Sequence, residues 1–312
     1  MNVNRGIHWT ARLLVAALAL TGCSAATNPS TPTTGTITVI ASAYPLQFLT
    51  QRIVGDAGTV TNLTQPGQEP HDLELSAQQI ADMSTSDAVV YIPGFQTAVD
   101  EAIKTSPPKM SIDVAAGIDR LVANADGSES PATPGQDQSS LDPHIWLSPK
   151  DMITMANTIS TQLSTENPAL ASTFAANTTK LVADLTNLDA DFSAGLASCQ
   201  RTEFVTSHAA FAYLAKAYGL AQIPIAGLDP TQEPTAARIA EVQKLAKQYG
   251  VTTIFFETLV SPAVAQSIAG DLHLKTAVLD PIEGITSESA GTNYLEVMNA
   301  NLTALQEANG CS

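Results

Sequence analysis

Positive charge is scarce in this chain: 14 lysines and arginines stand against 30 aspartates and glutamates in 312 residues, a formal net charge of −16. That acidic excess argues against nucleic acid as a partner. Charge of either sign is sparse, at 14% of residues against 44% hydrophobic, which excludes a disordered tail and leaves enough apolar surface to offset folding entropy. Long apolar runs are missing too. The longest, Leu13 to Leu20, is too short to cross a bilayer as a permanent helix. There are only five histidines, and no His-Glu-x-x-His helix of the kind zinc peptidases use.

What is present begins with an export signal. Arg5 and Arg12 precede the apolar run and no acid accompanies them, so residues 1–22 read as a signal peptide. Leu20-Thr21-Gly22-Cys23 resembles the bacterial lipobox, which predicts lipidation at Cys23, a membrane anchor and an extracytoplasmic location. Residues 23–35, rich in Ser, Thr, Pro and Asn, read as a flexible tether. Loss of residues 1–22 removes two arginines and no acid, which takes the formal charge to about −18. Cys199 and Cys311 remain, and an oxidising compartment predicts a disulfide between them.

From residue 36 short β-rich runs alternate with helical ones. Strands are expected at 36–40, 59–63, 88–92 and 110–112, with helices at 45–54, 77–83 and 95–103 between them. Residues 123–141 read as a surface loop. Ser148-Pro149 and Asn167-Pro168 signal two helix starts. Leu170, Phe174, Leu181, Leu185, Leu188, Phe192 and Leu196 then form one apolar stripe, predicting a helix over 169–197, roughly 40 Å long. Either a plain core helix or a rod between two lobes fits that stripe. Strands at 203–206, 221–226, 251–256 and 275–279 and helices at 209–218, 235–249, 262–269 and 294–305 follow. The expectation is an α/β fold of two parallel-sheet lobes, 36–168 and 198–312, joined by helix 169–197.

Two histidines share one setting. Glu69-Pro70-His71 and Asp142-Pro143-His144 each place an acid and a proline before the ring, which restricts the backbone and lets the acid reach the other ring nitrogen or the site. His71 follows one strand, His208 and Asp280 end two others, and His144 precedes the helix capped by Ser148. Carboxyl ends of parallel strands face a ligand crevice, and three imidazoles with one carboxylate make a tetrahedral zinc set. Taken alone, Asp280 before Pro281 reads as a turn residue; Glu257 and Glu69 are alternative fourth ligands.

These stretches, Gly67 to Asp72, Asp142 to Leu147, Phe204 to Phe211 with Tyr218-Gly219-Leu220, Phe255-Phe256-Glu257, Leu279-Asp280-Pro281 and Tyr294 to Met298 with Asn301-Leu302, resemble the metal-binding lipoproteins of ATP-binding cassette importers for zinc and manganese. The resemblance runs from about residue 36 to 309. It implies two α/β lobes on a rigid backbone helix, and His71, His144, His208 and Asp280 as ligands. Histidine rather than glutamate at the third position implies the zinc branch, since manganese suits oxygen donors. The loop at 123–141 departs from many zinc members by having no histidine. The expected function is capture of Zn(II) between the lobes and delivery to an ABC permease and its ATPase by a monomeric, non-enzymatic protein. A manganese or broad divalent carrier is the alternative. A zinc hydrolase, with Glu257 as base beside His71, His144 and His208, is the alternative of another class.

Overall fold

The computed structural model describes residues 36–124 and 129–312; the expected export signal 1–22, Cys23 and the tether up to residue 35 lie outside the described residues. Two four-stranded parallel sheets carry the architecture. The first contains β1 (Ile37–Ala41), β2 (Gly58–Asn62), β3 (Ala88–Tyr91) and β4 (Ser111–Asp113) in the order β2-β1-β3-β4. Val89 and Val90 of β3 are fully buried, as expected where helices cover both faces of a parallel sheet. Helices α1 (Tyr44–Val54), α2 (Ala77–Thr85) and α3 (Thr97–Thr105) supply its crossovers.

Ala123 and residues 129–131 depart from the loop expected over 123–141. Here β5 (Leu121–Ala123) pairs antiparallel with β6 (Glu129–Pro131). The anchor is tertiary: the Leu121 amide donates to the Tyr213 hydroxyl at 2.9 Å, which donates to the Asp142 carbonyl at 3.0 Å. Local sequence carries no sign of a partner ninety residues away.

Ser148 caps α4 (Pro149–Glu166) by accepting from the Asp151 amide. After the turn at Asn167-Pro168 comes α5 (Ala171–Gly195), about 37 Å long at the usual helical rise. Its buried face is Phe174, Thr178, Leu181, Leu185, Leu188 and Phe192, and it packs on α1, α4 and, past its far half, on a helix of the second half of the chain. One apolar cluster runs from β1 through α5 to the C-terminal helix, so the joint between the sheets is filled with side chains. Truncating a fully buried leucine such as Leu185 costs about 2–5 kcal/mol.

The second sheet holds β7 (Glu203–Thr206), β8 (Ala221–Pro224), β9 (Thr253–Phe256) and β10 (Lys275–Val278), in the order β10-β9-β7-β8. Counted by appearance and read from the other edge, this is the strand order of the first sheet. Its helices are α6 (Ala212–Tyr218), α7 (Ala236–Gln248), α8 (Ala263–Leu272) and α9 (Tyr294–Asn309). Gly219, at φ +71°, ends α6 in the left-handed region, where glycine carries no Cβ penalty. The expected disulfide is present between Cys199 and Cys311, tying the end of α9 to the segment entering β7. No helix among the described residues is long and apolar enough to cross a membrane.

Candidate metal centre

Each sheet sends side chains from its carboxyl ends into the space between them. His71 sits in the connection from β2 to α2, which is closed at its base by Gln79 Nε2 donating to the Leu63 carbonyl at 3.0 Å. His144 follows Pro143 and opens the single 3-10 turn Ile145–Leu147 ahead of α4. His208 lies two residues beyond β7, and Glu283 five beyond β10.

The repeated acid-proline-histidine setting has one shared use. In each case the acid accepts the histidine's own amide: Glu69 Oε1 from His71 at 3.0 Å, Asp142 Oδ1 from His144 at 2.9 Å. Asp142 Oδ1 also reaches His144 Nδ1 at 2.7 Å. His208 Nδ1 stands 2.9 Å from Glu257 Oε1, which accepts from Ser207 Oγ at 2.6 Å as well. A carboxylate at Nδ1 fixes that nitrogen as the donor and leaves the Nε2 lone pair for a ligand.

Three Nε2 atoms and Glu283 Oε1 converge. His144 Nε2 lies 3.2 Å from His71 Nε2, 3.4 Å from His208 Nε2 and 3.2 Å from Glu283 Oε1. Glu283 Oε1 is 3.4 Å from both His71 Nε2 and His208 Nε2. Donors each 2.0–2.2 Å from one tetrahedral ion stand about 3.3–3.6 Å apart. The cluster therefore has the dimensions of an ion's coordination shell. Glu283 Oε2 is buried without a protein partner, which leaves it free for the same ion.

Electrostatics divide the group. Burial pushes His71 below the usual imidazole value, against the pull of Glu283. Burial acts the same way on His144 and His208, but the Asp142 and Glu257 carboxylates override it; His144 is raised, and His208 well above the ordinary value. Glu283 is also fully buried, yet hydrogen bonds from His144, His208 and His71 hold it well below the carboxylate range. Glu69, buried beside the charge of Glu283, is pushed up to about 8.

A family model described as "ZnuA: Zinc-uptake complex component A periplasmic" matches residues 39–308. The chain belongs to that family. Among its relatives the zinc-binding protein AdcA of Streptococcus pyogenes serotype M6 is 37% identical over 287 residues, covering 87% of this chain and 56% of the relative. The chain thus spans little more than half the length of that protein. The high-affinity zinc uptake system protein ZnuA of Bacillus subtilis is 35% identical over 276 residues, 86% of each chain. The Zn(II)-bound ZnuA-like domain of Streptococcus pneumoniae AdcA superposes with a TM-score of 0.74 at 35% identity, covering 88% of this chain and 99% of that one.

In this zinc-uptake family member, three of the four expected ligand residues meet, and the fourth does not join them. Asp280 stands outside the set of donors that lie within 4.8 Å of one another. Its Oδ1 accepts from the Ile282 amide at 2.8 Å and its Oδ2 from Thr258 Oγ1 at 3.3 Å, so both oxygens face protein donors. Glu283 occupies the fourth corner instead. The sequence signal was the acid before proline, which marks a turn acceptor; the acid three residues on is the one the turn delivers. Neither alternative fourth ligand belongs to the set: Glu257 holds His208, and Glu69 holds the His71 amide.

Proposed function

We propose that this chain captures Zn(II) with His71, His144, His208 and Glu283 and hands it to the permease and ATPase of an ABC importer. The observation that carries the reading is the buried set of four donors, five of whose separations are 3.2–3.4 Å and all of which lie within 4.8 Å of one another, contributed from both halves of the chain. Three imidazoles and one carboxylate suit zinc, whereas manganese favours more oxygen donors and a larger shell. In this reading residues 36–168 and 198–312 are the two lobes and 169–197 the backbone helix. Residues 1–22 are the export signal, and Cys23 holds a monomer to the outer face of the membrane through tether 23–35.

A transport role, rather than hydrolysis, is supported by the closed fourth corner. A catalytic zinc keeps a position for water, and here Glu283 fills it while Glu257 Oε1, the candidate base, is held by His208 and Ser207. Elemental analysis of protein purified without added metal, then competition between zinc and manganese, tests the proposal. One equivalent of zinc, displaced by manganese only at large excess, is expected; a preference for manganese, no bound metal, or turnover of an ester or peptide would refute it.

A further inference from the structure

Ile282 is an unusual residue in an unusual place. It is β-branched and fully buried, yet its φ is +58°, in the left-handed region where a Cβ crowds the backbone. It immediately precedes Glu283. Such conformations persist only where the surroundings over-determine them, and here every hydrogen-bonding backbone group from Asp280 N to Ile282 N is held by a named side chain. Asn301 grips the Asp280 peptide on both sides, accepting from its amide at 2.9 Å and donating to its carbonyl at 2.7 Å. Trp146 Nε1 donates to the Pro281 carbonyl at 2.7 Å. Asp280 Oδ1 closes the turn on the Ile282 amide.

These grips connect the two sides of the centre. Trp146 stands two residues after His144, and its own carbonyl accepts from the Tyr294 hydroxyl at 2.6 Å at the start of α9. The segment that carries His144 is thus pinned to the turn that carries Glu283. With the turn released, Ile282 relaxes toward negative φ, and the following side chain swings away from the three imidazoles.

We infer that Asp280 is a positioning residue, whose carboxylate holds Ile282 in the left-handed conformation that aims Glu283 at the zinc. This rests on the proposed zinc capture and deepens it, by assigning to Asp280 the closure of a turn in place of a bond to the ion.

Two substitutions separate the roles by opposite outcomes. Asp280→Asn keeps an oxygen at the same reach, able to accept the Ile282 amide, and discards the charge. Asp280→Glu keeps the carboxylate and moves it one methylene away from that amide. For a positioning residue the asparagine variant binds zinc within about threefold of the parent, and the glutamate variant loses about 10- to 100-fold, the usual cost of disturbing a ligand's support. For a ligand the order reverses. Equal losses, or no loss in either, would also overturn the inference. Cobalt(II) supplies a second readout: at saturation Asp280→Asn retains the parent's absorption, whereas Asp280→Glu, with Glu283 drawn away, changes it in the direction that Glu283→Gln does. Amide exchange at Ile282 in metal-free protein, slow in the parent and Asp280→Asn and faster in Asp280→Glu, reads the turn without zinc. A parent that binds no zinc therefore sinks the transport reading and leaves the turn to be judged by exchange.

Discussion

His144 and His208 differ from His71 in what stands behind the ring. Each of the first two has a carboxylate on Nδ1 and a side chain that is 0–1% exposed. The His71 side chain is 10% exposed, and among the described residues no carboxylate reaches its Nδ1; its ring packs edge-on against Phe95 at 4.9 Å instead. Two of the proposed ligands are therefore held by a carboxylate at a ring nitrogen, while the third is held through its backbone amide, by Glu69, and by ring packing. The centre has a rigid floor and one looser wall, and the looser wall is the one nearest solvent.

The comparison breaks most visibly when a ligand is removed. Structural zinc sites are worth about 10–16 kcal/mol over four ligands, so one ligand carries roughly 3–4 kcal/mol, or about 10²- to 10³-fold in affinity. His144→Ala should reach the upper end, because its Nε2 neighbours all three other donors and its removal leaves a buried gap beside them. His71→Ala should stay nearer 10²-fold, since water reaches the position it vacates. Competition titration against a zinc chelator measures both; equal losses would erase the floor-and-wall distinction.

Orientation can be tested without touching a ligand. Asp142→Asn and Glu257→Gln should each cost about 10- to 100-fold in zinc affinity by loosening the tautomer of the ring they hold. Glu69→Gln keeps an acceptor for the His71 amide and touches no ring nitrogen, so the expected loss is under about fivefold. If Glu69→Gln matched the other two, the third histidine would have a hidden carboxylate support and the asymmetry would be false.

The same contrast explains what could be read from the sequence. The strands of both sheets are runs of β-branched and apolar residues, and α5 carries an unbroken stripe from Phe174 to Phe192, so local pattern and tertiary burial agree there. His71, His144 and His208 were legible because proline and strand ends restrict where their rings go. Glu283 was not, since it depends on one residue with positive φ, Ile282, whose conformation is imposed by Asp280 within the turn and by Asn301 and Trp146 from two distant segments. The β5–β6 pairing was hidden for the same reason: Tyr213 holds Leu121, and nothing in the two strands' own sequence foretells that contact.

Proton competition sharpens the comparison with the smallest expected effect at any one step. In metal-free protein the Asp142, Glu257 and Glu283 carboxylates raise His144 and His208 against the effect of burial, while burial lowers His71. Zinc therefore meets stronger proton competition at the first pair than at His71. As pH falls, affinity should therefore drop by about tenfold per pH unit for each proton displaced, with the drop setting in at higher pH than an unshifted imidazole would give, because both values are raised. The sign for stability is the reverse. A histidine raised in the folded state adds stability that is complete below its unfolded value and disappears as pH climbs through the folded one, so the metal-free protein should melt lower at pH 8 than at pH 6, while zinc-loaded protein should not follow it. Titration calorimetry in buffers of different ionisation enthalpy counts the protons. Release at pH 7 that persists in His71→Ala but drops in Glu257→Gln would place the protons on the floor of the site; the opposite pattern would place them on its wall.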